Sequence, residues 1–439
     1  MIRLADVRRS VEMLDGWLCS MRTPLGYCGP ISHWWASCLL YSGPMIDWRY
    51  EGILDGYVRL FCATGNTLWL ERALVAGRDV VNAQLPNGQF WNSSFQIGPV
   101  EGGTPHEVAV DVGLLTLAQL LRTIGHADWL TYFSAAEKNI MEYQIAVLWN
   151  GQAFRDQPGS KTVVPNKNAT TIEALLLYEE LSGKSMSRYI LPAAELILAA
   201  QVQGGASQHG GIVHLGTLDH QLSIGIYTAR CASALGRLYE RYVDPRYLDA
   251  ARKMLVFLNS LVAEKGTYFG YYPNGQMIRC PNWISASGDI LRAFLTLKPH
   301  IEPDTFSERY QQTMQQLLQR LIEHQHPTGG IWTAYGLHRK GSTQLYTGLP
   351  DFRDVLSVVG WCDKTFRALI AFLPKTELSM MQTPHITKPL KETRVACLWK
   401  GRKCWYREDE TRIQLTEQRT QRVIYSWTKG YAYPDIYCL

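Results

Sequence analysis

Asp111 is the residue in this 439-residue chain that most demands a chemical explanation. It stands in Thr104-Pro-His-Glu-Val-Ala-Val-Asp-Val-Gly-Leu-Leu115, with only apolar neighbours immediately around it. A carboxylate in such a wall is costly unless it is paired or neutral. Two readings fit it: a proton donor whose pKa is raised by desolvation, or a first-turn acid that favours the helix dipole. Asp351 and Asp354 lie in the loop Gly341-Ser-Thr-Gln-Leu-Tyr-Thr-Gly-Leu-Pro-Asp-Phe-Arg-Asp354. Either could reach into the cavity as a partner to Asp111, since two acids in one low-dielectric space push their pKa values apart and leave one protonated. Asp351 also reads as a helix N-cap, with Val355 beginning an apolar run. Glu51, in Asp47-Trp-Arg-Tyr-Glu-Gly52, is a further inner acid, for which pairing with Arg49 or capping is the plainer reading. Asp219-His220 offers a carboxylate-tuned imidazole or simple loop hydrogen bonding. His209, His214 and His220 match no standard metal spacing.

These residues need a scaffold to bring them together, and the chain carries a repeat of about sixty residues. One turn recurs as Gln84-Leu-Pro-Asn-Gly-Gln-Phe-Trp91, Gln144 to Gln152, Gln201-Val-Gln-Gly-Gly205 and Gln325-His-Pro-Thr-Gly-Gly-Ile-Trp332. Weaker copies fall near residues 20–29 and 259–269. Half a period away, helical segments end near Gly65, Gly125, Gly183, Asp244, Pro299 and Pro374; at three of these Gly stops the helix and at two Pro does. Apolar residues at i, i+3, i+4 spacing precede these stops, as in Val112, Leu114, Leu115, Leu117, Leu120 and Leu121. Strand-like alternation is scarce until after residue 390.

Six units of two helices predict an all-α fold: six hairpins closed into an (α/α)6 toroid over residues 1–384. The inner and outer rings are followed by a C-terminal extension, 385–439, packed on the barrel. An open solenoid satisfies the same period, but the units lack polar caps. Aligned on their C-terminal ends, the inner helices place Glu51, Asp111, Ala169, Ala229, Ser285 and Gly360 at one level. Trp48, Trp283, Phe352 and Trp361 fall at that same end, as candidate lining for whatever the ring encloses. Most other aromatic residues pack turns and outer helices: Trp91, Trp149 and Trp332 fall in or beside turns, and Trp34 and Trp35 begin an early helix.

Composition narrows the function classes. There are 44 Lys+Arg against 39 Asp+Glu, a net charge of +5, and no dense basic run of the kind nucleic acid requires. Lys400-Gly401-Arg402-Lys403 reads as a solvated turn. No window approaches a membrane span, and the first residues lack the apolar core of a signal peptide. Ten cysteines without CxxC pairs suggest reduced thiols and a cytoplasmic setting. The 14 Trp and 23 Tyr exceed what packing alone asks, and π faces with few charges suit sugar rings or a passing carbocation.

The six-hairpin pattern with Gln-x-x-x-Gly-x-(Phe/Trp) turns resembles the terpenoid cyclase and six-hairpin glycosidase toroids. A single toroid is similar to the monodomain class II meroterpenoid cyclases of the merosterolic acid synthase kind. That resemblance implies an isomerase-type cyclisation of a linear polyprenylated, aromatic-linked substrate, started by protonation. Asp111 would be the general acid and Asp351 its partner carboxylate. Trp48, Glu51, His220, Trp283, Phe352, Asp354 and Trp361 would line the cavity. It implies a hydrophobic small-molecule substrate, peripheral membrane association at most, and no cofactor or metal, magnesium having no motif to hold it. The Asp-x-Asp-Asp and Asp-Asp-x-x-Asp motifs of larger cyclases are absent from the sequence. The alternative is a glycoside hydrolase of the unsaturated glucuronyl hydrolase kind, also a toroid with two Asp residues. It wants a more polar cleft, for which Arg353, His220 and Asn168 are candidates. Cavity polarity separates the two.

Overall fold

A computed structural model describes residues 2–31, 40–42, 48–91, 107–204, 207–216, 221–263, 266–381 and 392–431. Thirteen helices carry the ring: α1 (Leu4–Ser20), α2 (Arg49–Thr64), α3 (Thr67–Asn82), α4 (Val108–Thr123), α5 (Trp129–Lys138), α6 (Pro165–Ser182) and α7 (Ser187–Ala199), followed by α8 (Gly225–Tyr242), α9 (Pro245–Leu261), α10 (Ser287–Leu297), α11 (Pro303–Glu323), the four-residue α12 (Phe352–Val355) and α13 (Val359–Phe372). The inner ring is α2, α4, α6, α8, α10 and α13; each packs on the next, and α13 returns to α2. The outer ring is α1, α3, α5, α7, α9 and α11. The inner helices stop where the sequence placed their ends. Gly65 and Gly183 take the left-handed conformation there, at φ 69° and 71°, which glycine adopts without a Cβ penalty.

The recurring glutamine turns are the joints of the outer ring. Gln84 Nε2 donates to Gly88 O in its own turn and to Ala135 O of α5, the next outer helix. Gln201 Nε2 likewise donates to Gly210 O and to Ala250 O of α9. Gln325 Nε2 donates to Gly329 O and to Ser10 O of α1. One side-chain amide thus ties a turn to itself and to its neighbour. The glycine is required because its backbone abuts that neighbour: a β-carbon on Gly210 would collide with Lys253 O, and one on Gly329 with Met13 O. The Gln325 joint links the last outer helix to the first, so the ring is closed. Gln144 departs from the scheme. It lies in a π-helical continuation of α5, Asn139–Leu148, and donates to Asn139 Oδ1.

The C-terminal extension is a four-stranded antiparallel meander, Thr393–Trp399, Arg402–Glu408, Arg412–Glu417 and Val423–Thr428. Lys400 and Gly401 form its first two-residue turn, both at positive φ. The sheet spans the seam between the first and last hairpins. Trp17 Nε1 of α1 donates to Glu408 Oε1 at 2.7 Å, and Leu398 N donates to Pro350 O before α12. His326, in the turn after α11, stacks on Tyr406 at 5.3 Å. Buried Lys429 pairs with Glu408 at 2.8 Å. Burial alone would raise the Glu408 pKa, but Lys429 and His326 hold it below its usual value.

Candidate active site

The inner helices all begin at the same end of the ring. Asp111 is in the first turn of α4, and Glu107 is the residue just before that helix. Four residues apart, the two carboxyls lie on one face, one turn from each other. Both are buried. The Asp111 pKa is raised well above the carboxylate range, first by burial and then by the Glu107 charge. Neither Asp111 oxygen has a hydrogen-bond partner among the described residues. Tyr143 lies close enough to Glu107 that this charge, added to burial, raises the phenol. Burial and the Glu107 charge thus both favour the protonated form of Asp111.

Trp48, just before α2, forms a cluster with Trp361 and Trp283. The Trp48 and Trp361 rings stand 6.3 Å apart, and Trp283 and Trp361 5.7 Å. Trp48 Nε1 donates to Gly360 O, fixing the start of α2 against α13. Beneath this cluster the ring is filled by charge. Glu51 accepts from Arg230 at 2.6 and 2.9 Å, and pairs with Arg367 at 2.6 Å and Lys364 at 3.3 Å. Its partners thus come from the neighbouring α13 and from α8 across the ring, and they hold its pKa well below normal against the opposing effect of burial. Glu173 takes Arg292 at 2.6 Å and Arg230 at 2.7 Å. Asp363 accepts from Gly52 N and Lys364, yet burial lifts it to about 7.

The remaining candidates have other surroundings. Asp351 caps α12 through Arg353 N and pairs with Arg353 Nε at 2.7 Å. Asp354 accepts from Asp351 N, Gly336 N and Leu337 N, completing a capping box. Burial raises it to about 7 although those amides pull the other way. The contacts described for these two acids hold the α12 loop and do not reach Asp111. Phe352 packs under the C-terminal sheet, 5.9 Å from Tyr406 and 6.3 Å from Trp399, so it belongs to that interface and not to the lining of the ring. Asn168 Nδ2 and Oδ1 clasp the Phe154 backbone. His220, Asp219, Trp34 and Trp35 lie outside the described residues. No group of three metal-ligating side chains occurs among the described residues, nor does any helix there reach membrane-crossing length and hydropathy.

Sequence reasoning missed the axial charges: Glu173, Arg230, Asp289, Arg292, Asp363, Lys364 and Arg367. One signal was available, since a charged residue at matching distances from several inner-helix ends must occupy one level of the ring.

No family model and no curated protein sequence matches the chain. Solved structures do. A D-mannose isomerase matches with a TM-score of 0.58 at 14% identity, over 83% of this chain and 96% of that one. The chain is an (α/α)6 toroid. An unsaturated glucuronyl hydrolase specific for heparin gives 0.59 at 12% identity, over 84% and 97%. A cellobiose 2-epimerase from Bacillus thermoamylovorans gives 0.59 at 9% identity, over 83% and 98%. These likenesses overturn the expectation of a protonation-initiated terpene cyclase, because the toroids it resembles act on sugars. Among the described residues, the axis of the toroid beneath the tryptophan cluster holds paired charges, which do not suit a carbocation cascade.

Proposed function

We propose that this toroid is a carbohydrate-active glycoside hydrolase, acting on an unsaturated uronyl oligosaccharide at the end where its inner helices begin. The observation that carries the reading is the buried Glu107 and Asp111 pair, one helical turn apart, in which burial and the Glu107 charge raise the Asp111 pKa. Two carboxyls in one low-dielectric space can divide the roles of acid and base. In a 4,5-unsaturated uronide the ring oxygen and the alkene form an enol ether. Asp111 donates its proton to the alkene carbon, positive charge develops at the carbon bonded to the ring oxygen, and Glu107 takes a proton from the water that adds there. The resulting hemiketal opens to a ketone by breaking the bond to the ring oxygen, and the hemiacetal left at the anomeric carbon collapses to an aldehyde, breaking the glycosidic bond and releasing the next sugar. As written, the reaction uses no metal or cofactor, and the partner is a small sugar rather than nucleic acid. Trp48 offers an apolar face for a sugar ring, and the Glu51–Arg230 network keeps the floor beneath it rigid.

The test is to incubate the purified chain with unsaturated uronyl disaccharides, following the ultraviolet absorbance of the conjugated alkene and the release of reducing sugar. The expected result is loss of absorbance with sugar release, lowered by roughly 100-fold or more in Asp111→Asn. Epimerisation of the sugar without hydrolysis would overturn the reading.

A further inference from the structure

Four of the six inner helices carry an arginine five residues before their last residue: Arg59 in α2, Arg237 in α8, Arg292 in α10 and Arg367 in α13. Equal distance from the helix end puts them at one level of the ring, at the end opposite Asp111. They are not in the last turns of their helices, so attraction to the terminal carbonyls does not account for them. One turn nearer the middle stand Asp55, Glu173, Asp289 and Asp363, eight or nine residues from the same ends. A pocket of about 440 Å³ opens on the arginine level. Arg292 and Arg367 form its floor, Arg237 its side, and Arg59 and Lys298 its exposed rim, with Asp55 as the single carboxylate among the lining residues.

The carboxylates behind the floor do not balance this charge. Glu173 is shared by Arg230, Arg237 and Arg292, and Glu51 by Arg230, Arg367 and Lys364. With Arg59 and Lys298, seven cations face Glu51, Asp55, Glu173, Asp289 and Asp363. The Nε of buried Arg367 has no hydrogen-bond partner among the described residues. Burial, with Arg367 and Arg230 nearby, draws the Arg292 guanidinium down to about 10 despite its pair with Glu173. Converging guanidinium groups with surplus charge and spare donors match a tetrahedral oxyanion, whose oxygens accept several forked hydrogen bonds.

We infer that this pocket is a second ligand site, at the opposite end of the ring from Asp111, which binds the phosphate or sulfate group of a small molecule. The inference stands on the arginine level alone and does not depend on the hydrolase reading. The volume leaves room for a sugar-sized body beyond the anionic group.

The experiment is calorimetric titration of the full chain with inorganic phosphate, against chloride at equal ionic strength, then with a sugar phosphate. Phosphate should bind and raise the melting temperature where chloride does not. Arg237→Gln, and separately Lys298→Gln on the exposed rim, should each weaken binding by roughly tenfold. The rim variant keeps the test valid if Arg237→Gln fails to fold. Tighter binding of the sugar phosphate marks a phosphorylated metabolite as the ligand; equal binding marks free phosphate. Phosphate that binds no better than chloride, or variants that bind it as the wild type does, would overturn the site.

Discussion

A carboxyl held neutral by burial makes folding depend on pH in a direction that can be worked out. The folded Asp111 pKa is raised above its unfolded value of about 3.9. The folded state therefore holds the proton more tightly, and its contribution to stability is complete at low pH and lost as pH rises through the folded value. Asp354 and Asp363, both raised to about 7, act in the same sense between about pH 4 and 7. Asp111→Asn removes one such cost without changing shape. Its urea unfolding at pH 8 should exceed wild-type stability by about 1–3 kcal/mol, with the gap closing toward pH 4. A variant less stable than wild type at pH 8 would mean that Asp111 has an ionised, paired role. Glu51 has the opposite sign: its pKa is lowered, so its contribution is present above the unfolded value and lost on acidification. Glu51→Gln strands Arg230, Arg367 and Lys364, and should lower stability at neutral pH by about 3–5 kcal/mol in the same assay.

At the scale of elements, the sequence disclosed the helix ends and turns because each is set by local chemistry. Gly65 and Gly183 must reverse the chain, and Gln84, Gln201 and Gln325 each satisfy carbonyls in reach of their own turn. Asp351 as an N-cap was readable on the same ground. What was not readable were pairings across the ring. Glu51 and Arg230 are 179 residues apart, Glu173 and Arg292 119, and no periodicity within one helix says which charge faces which. Phe352 shows a related limit: position at the mouth of the ring did not reveal that a sheet some fifty residues later would cover it. The glutamine joint gives its own prediction. Gln325→Ala removes two hydrogen bonds at the seam and should cost about 1–3 kcal/mol by thermal unfolding. Gly329→Ala, which also forces a β-carbon onto Met13 O at positive φ, should cost more. Equal or smaller loss in Gly329→Ala would contradict the close packing of turn on helix.

The whole molecule is a closed ring whose seam is fastened twice, by the Gln325 joint and by the C-terminal sheet. Glu408 lies at the centre of the second fastening, taking Trp17, Tyr406 and Lys429 at once. Glu408→Ala leaves Lys429 buried without its carboxylate, and should cost about 3–5 kcal/mol, with a change in tryptophan near-ultraviolet dichroism. The two ends of the ring differ in chemistry: a buried carboxyl pair and tryptophan at one, an arginine level at the other, with paired charges between. We propose that the acid end hydrolyses unsaturated uronyl sugars with Asp111 as proton donor. The most direct measurement is the turnover of an unsaturated uronyl disaccharide by the wild type and by folded Asp111→Asn. Hydrolysis by the wild type and its loss in the variant are the predicted result; no hydrolysis by the wild type, or full activity in the variant, would contradict it.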